Sequence, residues 1–85
     1  MGQLHAFQLS GCRLWFHTGD HGPQHFHAGV VDAWEIRVFF LQEPPEYDVR
    51  FQLKRVPART VRTILELAAV HRAKLFTEWK RSHGE

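Results

Sequence analysis

The chain has a single cysteine, Cys12, among its 85 residues. That excludes a disulfide framework within the chain and points to a reducing interior. Cys12 itself reads as a small buried hydrophobe. No apolar run approaches the roughly 20 residues that a membrane-spanning helix needs. Residues Met1 to Ser10 lack the basic and apolar regions of a secretory leader. A cytoplasmic protein without a membrane partner is the expectation. There is no internal repeat and no low-complexity segment, so residues 1–85 are expected to form one domain.

Aromatic side chains are plentiful. Phe16, Phe26, Phe39, Phe40, Phe51, Phe76, Trp15, Trp34 and Trp79 supply the volume that a small core requires. Charge is uneven. Residues 1–49 carry two basic and six acidic side chains, whereas residues 50–81 carry nine basic and two acidic. The basic part suits an anionic partner, RNA or DNA, or else forms a solvated helix face.

Four segments read as strands. Residues 12–17 are apolar on both alternating sets. In 25–31, His25 and His27 share one face and Phe26, Ala28 and Val30 the other. In 33–41, Trp34, Ile36, Val38 and Phe40 share a face opposite Glu35 and Arg37. In 47–54, Tyr47, Val49, Phe51 and Leu53 are expected to face inward. Pro44-Pro45 marks a loop, and the short connections favour antiparallel pairing. From Pro57 the apolar period becomes three to four residues, through Val61, Ile64, Leu65, Ala68, Leu75, Phe76 and Trp79. The expected fold is α+β: an antiparallel sheet of three or four strands with one face covered by a long C-terminal helix, with a break near His71 left open. The expected core is Trp34, Ile36, Val38, Val49, Phe51, Ile64, Leu65, Ala68, Leu75 and Trp79. Phe39 and Leu41 fall opposite and suggest a partner or dimer patch.

Histidine is the concentrated feature. His17, His21, His25 and His27 lie within eleven residues, with Gly19, Gly22 and Pro23 between them. Imidazole titrates nearest neutral pH and is the commonest metal ligand.

The segment His21-Gly22-Pro23-Gln24-His25-Phe26-His27-Ala28 resembles the H-x-P-P-H-F-H-A motif of a family of small, mostly bacterial, uncharacterised domains. The later pattern is also similar: Val56-Pro57, Ile64-Leu65, His71-Arg72, Leu75 and Trp79. The likeness runs over about residues 12–82. Gln24 departs from the second proline of the motif. The stretch from Phe39 to Tyr47 is longer and more hydrophobic than usual. The resemblance implies a gene neighbourhood like that of toxin–antitoxin pairs, with a small partner protein encoded alongside.

Three readings of the histidines compete. Two imidazoles two apart on a strand can share a divalent ion such as zinc, with His21 or His17 as a third ligand and His71 reaching in from the helix. In that reading the metal set is His21, His25, His27 and His71. Alternatively, His25 and His27 act as a metal-free catalytic pair at a scissile phosphate in RNA. Arg13, Arg50 or Arg72 would then stabilise the added charge. In the third reading the histidines are structural staples within a protein- or nucleic-acid-binding module. Arg59, Arg62, Lys74 and Arg81 are the candidates for contacts to nucleic acid, although no known reading motif accompanies them.

Overall fold

The computed structural model describes residues 2–17, 19 and 22–83. Five strands form one antiparallel sheet in sequence order: β1 (Gly2–Gln3), β2 (Arg13–Phe16), β3 (Phe26–Val30), β4 (Trp34–Phe39) and β5 (Glu46–Gln52). Two helices follow, α1 (Ala58–Val70) and α2 (Arg72–Ser82). The α+β class agrees with the sequence reading. The fifth strand, β1, is an addition to it. Two residues are too few to show any period, yet they pair Gly2 with Phe16 and Gln3 with Trp15.

The expected single helix is two. The chain leaves helical geometry at His71, where φ is −102° and ψ is 20°. No Gly or Pro causes this, and tertiary contacts hold the junction. The His71 ring stacks on Phe7 with centroids 5.5 Å apart. Arg72 donates to the carbonyls of Phe40 and Gln42 and pairs with Glu43. At the end of α2, His83 Nδ1 donates to the Trp79 carbonyl and its ring stacks on the indole at 3.6 Å. Among the described residues, no helix is long and apolar enough to cross a membrane.

Facing Cα partners put their side chains on the same side of a sheet. Leu14, Phe16, Phe26, Ala28, Trp34, Ile36 and Val38 therefore share one face, which packs against Val61, Ile64, Ala68, Leu75 and Trp79. Phe16 joins the layers, with its ring 6.1 Å from Trp79 and 6.3 Å from Phe40. Leu4 and Phe7, from the segment after β1, complete this core. The other face of the sheet is not covered by either helix.

Two expected core residues are not in the core. Val49 is 45% exposed and Phe51 42%, and Tyr47 and Leu53 are exposed as well. β5 is an edge strand, so Tyr47 and Val49, opposite Val38 and Ile36, lie at the margin of the helical layer. Phe51 departs for a second reason. Ile36 pairs with Val49 and Glu35 with Phe51, which leaves Arg50 as an extra residue. Such a β-bulge shifts the alternation beyond it. Phe51 thus joins Glu35 on the uncovered face. Leu65 contributes as a partly buried residue packed against the core.

Candidate functional site

The uncovered face gathers the polar side chains of the sheet. One row runs Trp15, His27, Arg37, Asp48 across β2 to β5, and the next runs Arg13, Gly29, Glu35, Phe51. His27 sits at the centre and is only 3% exposed. Its ring stacks on Trp15 with centroids 5.4 Å apart and planes 15° from parallel. Its Nδ1 meets Glu35 Oε2 at 3.1 Å. Glu35 is the diagonal neighbour of His27, because the direct partner of His27 is Arg37. A carboxylate on Nδ1 fixes the ring and favours the tautomer that holds a proton there.

Gly29 shapes the floor between them. A Cβ at this position would collide with the Trp34 carbonyl oxygen and come within 3.1 Å of Glu35 Cα. A side chain here would displace the strand that carries Glu35. Around this floor lies a cleft of about 560 Å³ lined by Arg13, Trp15, His17, His27, Glu35, Arg50 and Phe51, among others. The Arg13 guanidinium lies 5.1 Å over the Trp15 ring. Beside the cleft, Arg37 donates through Nε to Asp48 Oδ1 at 2.9 Å and through a second nitrogen to Oδ2. This hydrogen bonding holds the Asp48 carboxyl below its usual range. Burial opposes this as the next-largest effect, and the charges of Arg37 and then Arg50 add smaller pulls downward.

The structure brings His25 and His27 together, with ring centroids 5.1 Å apart. His25 is not among the residues lining the cleft. It lies at the mouth of β3 with Nδ1 on the Pro23 carbonyl at 2.8 Å and its ring near Phe39 and Trp79. His17, at 6.0 Å from His27, does line the cleft. His71 belongs to the helical layer, stacked on Phe7. His21 lies outside the described residues. Of the three arginines considered for charge stabilisation, Arg13 and Arg50 reach the cleft, and Arg72 braces the loop after β4 instead. Arg59, Arg62, Lys74 and Arg81 are carried by the helices and line other depressions.

A zinc ion would draw on His25 and His27. Both have Nδ1 against an oxygen, the arrangement that orients Nε2 for a metal. Zinc sites use three or four protein ligands. Among the described residues no group of three His, Cys, Asp or Glu side chains is placed to hold an ion.

The model of a family described as a domain of unknown function, DUF4160, matches residues 11–80. The chain belongs to this family. Searches of curated proteins and of solved structures find no match. The matched region of this DUF4160 domain runs from just before β2 into α2, so it contains the whole cleft.

Two residues of the site, Glu35 and Gly29, have no role in the sequence reading. Glu35 falls opposite the core there. Its signal is an acidic residue in phase with the histidines once the β3–β4 turn is located. Gly29, inside an otherwise apolar strand, is the usual mark of close backbone approach. Trp15, counted by its size toward the core, instead lies on the uncovered face, because it alternates with the buried Leu14 and Phe16 and stacks on His27.

Proposed function

We propose that the uncovered face of the sheet is an acid–base site that acts on RNA, the toxin-like component of a two-gene module. The single observation that carries this reading is the His27–Glu35 pair at 3.1 Å, set in one cleft with Arg13 and Arg50. A carboxylate-oriented imidazole is suited to take a proton, and it holds the resulting positive charge against Glu35. Two guanidinium groups suit a phosphodiester and the negative charge that grows on it during reaction.

The reaction that fits these parts is internal transesterification of RNA. His27 takes the proton of a ribose 2′-hydroxyl. The 2′-oxygen bonds to phosphorus, and the bond from phosphorus to the 5′-oxygen breaks. His17, across the cleft and protonated, gives a proton to that leaving oxygen. The products are a 2′,3′-cyclic phosphate and a 5′-hydroxyl. His25 lies behind His27 as a positioning residue. Arg59, Arg62, Lys74 and Arg81 would engage only RNA that continues around to the helices.

One observation favours a second reading. His25 is bonded to a backbone carbonyl, as a staple would be. In that reading the histidines stiffen a non-catalytic module that binds protein or nucleic acid through the same face. Labelled single-stranded RNA incubated with the purified chain separates the two. Cleavage that leaves cyclic phosphate ends and is lost in Glu35→Gln supports the acid–base site. RNA bound but uncut supports the module. A loss of cleavage on chelation, restored by zinc, would move His25 and His27 from proton transfer to coordination.

A further inference from the structure

On the helical side, α1 and the loop before β5 enclose a second depression, of about 470 Å³. Its walls are Pro45, Tyr47, Ala58, Val61, Leu65 and Ala69, with Arg62 and Glu66 on the rim. Val61 and Pro45 are buried, Leu65 is partly buried, and Tyr47, Ala58 and Ala69 are exposed. The groove is preformed. Arg72 ties down the segment that leads into the prolines, through the carbonyls of Phe40 and Gln42 and the carboxylate of Glu43. Arg62 and Glu66 form no ion pair among the described residues, in contrast to Arg37 and Arg72. An apolar floor flanked by one unpaired cation and one unpaired anion is a surface without its complement.

We propose that this groove is a self-association surface, and that its occupant is α1 of a second copy of the chain. The charge pattern carries the choice. An interface with two-fold symmetry uses the same patch twice, so the patch must complement itself. Arg62 and Glu66 stand one turn apart near the middle of α1. When two α1 helices run antiparallel about a two-fold axis at that middle, Arg62 of each copy meets Glu66 of the other. The same axis brings Ala58 of one copy toward Ala69 of the other. Small side chains there let the backbones approach, and Leu65 and Tyr47 fill the seam. A rim of a single sign would have favoured an oppositely charged foreign partner, and this rim has both signs. The cleft around His27 lies on the far side of the sheet, so the dimer leaves both copies of it open.

Light scattering coupled to size exclusion tests the proposal on the whole chain. The expected result is twice the chain mass, with the dimer dissociating on dilution. Ala69→Arg, at an exposed position, should yield a monomer that melts where the diluted, monomeric parent melts. Arg62→Glu and Glu66→Arg alone should each weaken the dimer by about tenfold or more, because each sets like charges face to face. The double variant should regain it. A mixture of the two single variants should form a heterodimer in preference to either homodimer, a result that a foreign occupant would not produce. A monomer at all accessible concentrations, or a dimer indifferent to Ala69→Arg and to both charge reversals, overturns the proposal.

Discussion

His27 and Glu35 meet across the β3–β4 hairpin, Nδ1 to Oε2 at 3.1 Å, as diagonal rather than direct neighbours. The carboxylate holds the ring by charge and by direction. Glu35→Gln keeps the size and a hydrogen-bonding oxygen but removes the charge. The expected outcome is a loss of RNA cleavage on the order of 10²-fold. Cleavage rates, with melting curves of both proteins, check this.

Salt and charge separate the two faces. If RNA lies in the cleft, Arg13→Ala with Arg50→Ala should weaken binding and flatten its dependence on salt, because two phosphate contacts are lost. Arg59→Glu with Lys74→Glu should leave both nearly unchanged. The reverse pattern in a fluorescence titration over a salt series would place RNA on the helices.

Burial ranks the aromatic residues by what they support. Trp79 is 4% exposed beneath Phe16 and His25. Truncation to Ala should cost ~3–5 kcal/mol. Phe51 is 42% exposed on the edge strand. Its truncation should cost about 1 kcal/mol or less while reducing affinity for RNA. Urea unfolding of the two variants gives the comparison.

Asp48 links stability to acid. Its folded-state value lies below the ordinary 3.8, chiefly because of the hydrogen bonds from Arg37. The unfolded state therefore takes up the proton first as pH falls. The Arg37–Asp48 pair contributes fully above the unfolded value and is lost as pH drops through the lower folded one. Asp48→Asn should be less stable than the parent near neutrality. The difference should shrink below about pH 4. Melting temperatures between neutral and strongly acid pH read it out.

Much of this architecture is legible in the chain, for reasons that vary by element. β4 alternates cleanly because one of its faces is covered and the other is not. The helical stripe from Val61 to Trp79 survives the break at His71, because the turn there keeps the backbone bonds from His71 to Leu67 and from Leu75 to His71. The site is less legible. His25 and His27 announce themselves by spacing, but Glu35 joins them only through the position of a turn. Arg13 and Arg50 join through the register of strands far apart in sequence. The inward reading of β5 fails where alternation alone must fail. Period two says which residues share a face, but not whether a helix reaches that edge or whether an extra residue interrupts the count.

That extra residue has a consequence for the variability of the cleft. In a regular strand, Arg50 and Phe51 would project to opposite sides. The bulge lets these adjacent positions line the same cleft, one supplying a guanidinium and the other a ring. Both are exposed and lie on an edge strand, so neither is tied to the core. Two neighbouring codons therefore control much of what the cleft can hold. If the cleft holds RNA as proposed, a substitution at either position alters what it accepts while the buried side of the sheet is left as it is.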